Sequence, residues 1–164
     1  MNVAFLGLGG NMGNRLENLS KMVAGLKSEC GDVVKVSGIY ETEVWGSDSR
    51  KKYLNQVVKI LTPLSALGLL EKMLVIEKKL GRVREEHNLD RTADLDILFF
   101  NDAIIHSEEL QVPHPRLHLR KFVLIPLTEI EPALFHPKLK ETIKELLKNC
   151  KDDLTVESVK IIEN

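Results

Sequence analysis

The chain has 164 residues, with 23 Lys and Arg against 24 Asp and Glu and a formal net charge of −1 at pH 7. So even a balance excludes a general nucleic-acid binder or a membrane-surface binder, which rely on a surplus of one sign. No apolar run approaches the length of a membrane span, and Cys30 and Cys150 stand apart without a CxxC pair, which points to reduced thiols in a cytoplasmic protein.

The length suits one domain over residues 1–164, long enough to bury a core without staples. Glycines break the first apolar stretch and no basic segment precedes it, so no signal peptide is expected. Asn2 to Leu8 reads as a central strand, followed by the turn GGNMGN. Asn14 is placed to cap a helix from Arg15 to Ser28, with Leu16, Leu19, Met22, Val23 and Leu26 at helical spacing. Val33 to Tyr40 reads as a second strand, Glu41 to Lys52 as a loop, and Tyr53 to Leu61 as a third strand. Thr62 or Ser65 caps a second helix, in which Leu67, Leu70, Leu74, Glu77 and Lys78 track one side and Gly81 is the stop.

Gly81 to Thr92 is charged and aperiodic, hence a loop, and Asp94 to Phe100 is a fourth strand. Asn101-Asp102 turns into a short strand near Ala103 to Ile105. The order is β-α-β-β-α-β, which predicts an α+β, ferredoxin-like antiparallel sheet with helices on one face. A C-terminal helical and strand extension follows. It comprises a helix from Leu117 to Ile130, kinked or restarted at Pro126, an amphipathic helix from Leu139 to Lys148, and a strand from Leu154 to Ile162.

The chemistry gathers around Asp94 and Asp96. Residues two apart on a strand share a face, so the two carboxylates stand roughly 6–7 Å apart at the backbone, with Leu95, Ile97 and Phe99 pointing the other way. Paired hard oxygens suit Mg²⁺, which takes the rest of its shell from water and substrate phosphates. Arg82, Arg84 and Arg91, in the loop just before, can clamp phosphate oxygens. Carboxylates that hold a metal, next to arginines on a loop, are the parts needed for phosphoryl transfer. A solvated edge strand with surface salt bridges is the plain alternative, and these residues alone leave both open.

Other motifs are less specific. GLGGNMG fails as a dinucleotide fingerprint because the third glycine is missing in either frame; it reads as a tight strand-to-helix turn, or as a backbone loop with Asn11 as a polar ligand contact. Trp45, in a polar segment, either packs back on the fold or stacks on a planar ligand in a pocket that Tyr53, Asn55 and Phe122 also serve, Asn55 by hydrogen bonds to a heterocycle edge. His114 and His118 are four apart, but Pro113 and Pro115 disfavour a zinc-binding helix, so His114 is expected to bond a phosphate or a carbonyl. Arg116, Arg120 and Lys121 add positive charge nearby.

Six stretches, LGGNMGNR, IYETEVWG, YLNQVV, IEKKLGRVR, RTADLDILFF and VPHPRLHLRKFVLIPL, taken in order, resemble the 6-hydroxymethyl-7,8-dihydropterin pyrophosphokinases of folate synthesis. The resemblance runs from the first strand to about Pro137. It implies an ATP- and Mg²⁺-dependent transfer of pyrophosphate to the pterin alcohol, with ATP as co-substrate and two Mg²⁺ ions on Asp94 and Asp96. It implies that Glu77, Arg82, Arg84, Arg91, His114 and Arg120 bind ATP, with Arg82, Arg91, Asp94 and Asp96 catalytic. The pterin would lie between Tyr53 and Phe122, with Thr42 and Asn55 on its polar edges and Val44 and Trp45 in the same pocket. Small-molecule partners only, a monomer and a cytoplasmic location are the matching expectations; a nucleotidyl transferase or a non-catalytic nucleotide-sensing module is the alternative. The sequence departs from the family pattern at Gly10, where serine is usual, at Leu74, where glutamine is frequent, and in HNLDRT, where Asp90 replaces a proline.

Overall fold

The computed structural model describes residues 1–43, 51–82 and 90–161, so Val44, Trp45 and Arg84 lie outside the described residues. The first part of the chain runs β1 (Asn2–Gly10), α1 (Arg15–Glu29), β2 (Asp32–Val36), β3 (Ile39–Thr42), β4 (Tyr53–Thr62), α2 (Ala66–Lys79) and β5 (Asp94–Phe100). These elements form a mixed α/β structure around one six-stranded antiparallel sheet. Its order is β10-β3-β4-β1-β5, with β2 also paired to β4; β10 is Val156–Val159.

The helix ends follow from their caps. Asn14 accepts from the Glu17 N–H at 3.1 Å and Ser65 from the Gly68 N–H at 3.1 Å, each satisfying an orphan donor of a first turn. Thr62 is not the cap of α2: its hydroxyl donates to the Cys30 carbonyl and accepts from Leu64 N–H. At the other end of α2, Gly81 takes φ +85° and Arg82 N–H reaches back to the Glu77 carbonyl. That left-handed step, open to glycine, turns the Arg82 side chain toward the sheet.

α1 and α2 cover one face of the sheet. Leu19, Met22 and Leu26 of α1 and Leu69, Met73 and Ile76 of α2 pack on Ala4, Leu6, Val58, Ile60 and Ile97. Each fully buried side chain of this size is worth about 1.5–3 kcal/mol. The buried stripe of α2 is therefore not Leu67-Leu70-Leu74; Leu67 and Leu74 are exposed, and of the expected set only Glu77 is buried.

The predicted second strand is two strands. Between β2 and β3, Ser37 takes the Val57 N–H on its hydroxyl, and Gly38 N–H turns away to Glu129. The remainder of the chain contains the hairpins β6-β7 (Ile105–His106, Gln111–Val112) and β8-β9 (Phe135–His136, Glu141–Thr142), and the helices α3 (Lys121–Ile130) and α4 (Ile143–Asn149). Leu117–Leu119 forms a separate 3₁₀ turn and the break before α3 falls at the extended Arg120, while Pro126 sits inside the helix. α4 starts later than expected because the β8-β9 hairpin, with Lys140 at φ +60°, occupies its first residues.

α3 and α4 pack on the opposite face of the sheet, where Val123, Leu124, Leu127 and Leu146 meet Phe5, Val57, Leu98 and Phe99. Helices thus lie on both faces. A register shift of β5 against β1, between Phe5 and Leu6, places Leu98 in a bulge. Leu95 and Ile97 point into the α1–α2 core as expected, but Phe99 after the bulge joins Leu98 in the other core.

Candidate active site

Three adjacent strands supply the floor of a cavity of about 320 Å³. Gly9 of β1 pairs with Asn55 on one side and Asp94 on the other; two residues earlier, Gly7 pairs with Val57 and Asp96. All six residues line the cavity. Any side chain on the central strand at these two positions would stand between the acids and Asn55. A Cβ on Gly9 would meet Leu54 O at 3.2 Å, Asn55 Oδ1 at 3.3 Å and Tyr53 Cδ1 at 3.5 Å. Sequence reasoning placed Gly7 in the first strand and Gly9 in the turn or ligand-lining loop after it; their spacing of two, matching that of Asp94 and Asp96, was the available signal for a shared face.

The walls come from elsewhere in the chain. Tyr53 and Thr42, paired across β3 and β4, stand at one side, and Asn55 donates to the Thr42 hydroxyl at 3.0 Å. Arg82 and Arg91 stand beside the acids; His114 and Arg120 come from the segment leading into α3, and Phe122 from its first turn. Arg120 lies over the Phe122 ring at 5.6 Å. The described candidate residues thus converge on one cavity, Glu77 and Asn11 excepted. Glu77 is 3% exposed and absent from the lining; one oxygen accepts from Leu95 N–H at 3.0 Å and the other from Arg82. It fastens the end of α2 to the backbone between the two aspartates.

The electrostatics set buried carboxyls and arginines side by side. Burial, and next the charge of Asp94, pushes Asp96 up to about 7, against the smaller pull of Arg120 and Arg82. Burial also raises Glu77 despite Arg82, and burial with the Asp94 charge pushes Tyr53 up to about 12. His114 is pushed down to about 4 by burial and by Arg120 and Arg116. Its Nδ1 accepts the Arg116 N–H at 3.2 Å, so the neutral ring carries its proton on Nε2 and remains a donor. Arg82 bridges Glu77 and Asp94, the latter at 2.9 Å, and its Nε is buried without a hydrogen-bond partner among the described residues.

These residues fit a divalent cation. Burial and the neighbouring Asp94 make the ionised form of Asp96 costly, a cost that a bound cation would offset, and Asp94 shares its face. Among the described residues no cluster of three or more His, Cys, Asp or Glu could hold a metal. Two protein carboxylates with the remaining positions left to water and phosphate is the pattern of Mg²⁺.

A small α/β fold whose antiparallel sheet carries paired acids beside three arginines has the parts that the phosphoryl-transfer class of protein uses. Residues 5–132 match the 7,8-dihydro-6-hydroxymethylpterin-pyrophosphokinase (HPPK) family, and the chain belongs to that family. It is 48% identical over 130 residues to the 2-amino-4-hydroxy-6-hydroxymethyldihydropteridine pyrophosphokinase of Bacillus subtilis, covering 79% of this chain and 78% of that protein. It is 38% identical over 145 residues to the enzyme of the same name from Aquifex aeolicus, covering 88% and 90%. A crystal structure of Plasmodium falciparum HPPK-DHPS superposes with a TM-score of 0.74 at 18% identity, over 90% of this chain and 43% of that one, which speaks for the fold alone. This chain therefore spans less than half of that longer protein.

Proposed function

We propose that the cavity binds ATP and 6-hydroxymethyl-7,8-dihydropterin side by side and transfers pyrophosphate from the one to the other, in folate synthesis, with AMP released. The pterin hydroxymethyl oxygen attacks the β-phosphorus, its proton passes to solvent, and the bond from that phosphorus to the α–β bridging oxygen breaks with its electrons on AMP. The carrying observation is the cavity in which Asp94 and Asp96, with Arg82, Arg91, Arg120 and His114 around them, face Asn55 across a glycine floor. Family membership supports the same reading.

Asp94 and Asp96 would hold two Mg²⁺ ions, which when bound neutralise the triphosphate and polarise the reacting phosphorus. Arg82 and Arg91 stabilise charge that builds on the transferred group, with Arg82 Nε a ready donor. His114 donates from Nε2 as a neutral group and Arg120 neutralises phosphate. Glu77 reaches the nucleotide only through Arg82. Tyr53 and Phe122 stack on the pterin while Thr42 and Asn55, already bonded to each other, bind its polar edge. Val44, Trp45 and Arg84 keep their assigned roles in pterin and ATP binding, respectively, on the strength of the family resemblance. Positioning carries such a reaction, so no side chain is assigned as general base.

The sheet order supports a ferredoxin-like core, β2 and β3 counting as one interrupted strand, with the chain after Phe100 as an extension. We read residues 1–164 as one pyrophosphokinase domain acting as a monomer in the cytoplasm. The test is product analysis with ATP, Mg²⁺ and the reduced pterin alcohol. AMP in step with the diphosphorylated pterin is expected; pyrophosphate instead would mean nucleotidyl transfer, and binding with no product would mean a nucleotide sensor.

A further inference from the structure

Asn11 is buried, 5% exposed, just past the end of β1, and does not line the cavity. All the hydrogen-bonding groups of its side-chain amide are engaged. Oδ1 accepts the Arg91 N–H at 2.8 Å; Nδ2 donates to Asp90 Oδ1 at 2.8 Å and to the Lys51 carbonyl at 3.1 Å. The opposite amide orientation would set NH₂ against an N–H and oxygen against a carboxylate, so these partners fix the assignment.

The backbone repeats the grip. Asn11 N–H and Met12 N–H both donate to the Arg91 carbonyl, at 2.8 and 3.2 Å. Arg91 is therefore held on both sides of its Cα by the turn that follows the glycine floor. Gly10 makes the approach possible: a Cβ there would lie 2.6 Å from the Thr92 carbonyl oxygen. Lys51 and Asp90 arrive from two separate stretches of chain and also meet each other, Nζ to Oδ2 at 3.5 Å.

We propose that Asn11 is a positioning residue for Arg91, fixing its backbone against the end of β1 so that the guanidinium enters the cavity at a set place. The inference rests on the reading of the cavity as a pyrophosphoryl-transfer site. Buried, fully spent amides are costly to disturb, because each lost partner leaves a group unsatisfied. A displacement of an arginine by about 1 Å can cost on the order of 100-fold in rate.

The test is a double-mutant cycle on AMP release, with Asn11→Ala, Arg91→Ala and the double variant. Asn11→Ala should lower kcat about 10- to 100-fold and leave the KM for the pterin within about twofold. In the Arg91→Ala background the same change should cost less than about twofold, because the arginine it serves is gone. Losses that multiply would overturn the inference, since a structural role acts through the whole fold. An Arg91→Ala enzyme as fast as wild type would overturn it too. Should Asn11→Ala not fold, Asn11→Ser serves in the same cycle: it keeps a small neutral polar side chain beside the Arg91 N–H, loses the reach to Asp90 and to the Lys51 carbonyl, and should show a loss that Arg91→Ala again absorbs. A wild-type protein that forms no AMP sinks the pyrophosphoryl-transfer reading itself, an outcome distinct from multiplicative losses in an active enzyme.

Discussion

Arg82 donates from Nη1 to Asp94 Oδ1 at 2.9 Å, so one member of the acid pair is held by a cation of the chain's own. The same nitrogen holds Glu77. Glu77 in turn holds Leu95 N–H, the backbone link between Asp94 and Asp96. Helix end, arginine and acid pair are thus one connected unit. A triphosphate carrying its own metal ions can take over both ends of the Arg82–Asp94 contact: phosphate for the arginine, metal for the aspartate.

Removing Arg82 should therefore cost stability as well as rate. Arg82→Ala leaves Glu77, 3% exposed, as a buried carboxylate without a cation, a loss of about 3–5 kcal/mol. Denaturant unfolding should show it as a lower midpoint. Combining Glu77→Gln with Arg82→Met removes both members and should recover most of that stability, while AMP release stays down at least about 100-fold. Recovery of activity along with stability would show that Arg82 is structural only.

Gly9→Ala tests the glycine floor. The added methyl is 3.3 Å from Asn55 Oδ1 and 3.5 Å from the Tyr53 ring, on the pterin side of the cavity as assigned. The expected result is a KM for the pterin raised about tenfold, one lost or displaced hydrogen bond, with the KM for ATP nearly unchanged. Gly7→Ala, whose methyl meets only Leu98 at ordinary contact distance, 3.5 Å, should be milder on both.

How much of this was legible in the sequence depends on which contacts were local. The face shared by Asp94 and Asp96, and the opposite face of Leu95 and Ile97, follow from a period of two and were readable. Phe99 was not, because the bulge at Leu98 depends on the register against β1. α2 carries two apolar stripes, and the residues in them do not say which is buried; the packing of Ile76 against Gly25 of α1 helps decide for Leu69-Met73-Ile76. That α3 covers the second face is likewise a tertiary fact. Glu77 was expected to touch the nucleotide; its turn inward toward Leu95 N–H, which takes it out of the cavity lining, depends on how α2 lies against β5 and was not readable.

Asp96→Asn should separate fold from function. Burial and the neighbouring Asp94 already hold the Asp96 carboxyl up near 7, so its negative charge is costly at neutral pH without a metal. The amide removes that charge at nearly constant shape. Thermal unfolding without Mg²⁺ should give a melting temperature equal to or above wild type, and the stabilisation that Mg²⁺ with an ATP analogue gives the wild type should be lost. AMP release should fall at least about 1,000-fold, because one of two protein ligands is gone. Near-normal turnover would remove Asp96 from the metal site.

His114 makes the acid side of the stability profile predictable. Its pKa falls from the ordinary 6.5 to about 4 in the folded protein, through burial and the positive charges of Arg120 and Arg116. Below pH 6.5 the unfolded chain takes up this proton before the folded one does, so protonation favours unfolding. The stabilisation is complete above about pH 6.5 and is lost as the pH falls from there to about 4. At pH 4.5 the loss is on the order of 2 kcal/mol. His114→Asn keeps an acceptor for the Arg116 N–H, 3.2 Å away in the wild type, but cannot titrate. Its melting temperature should therefore fall less between pH 7 and pH 4.5 than that of the wild type. The other titrating groups, His136 among them, are common to both proteins and cancel in the comparison. Parallel curves would mean that His114 is already solvated or charged in the folded state, and its assignment as a neutral Nε2–H donor to phosphate would fall with them.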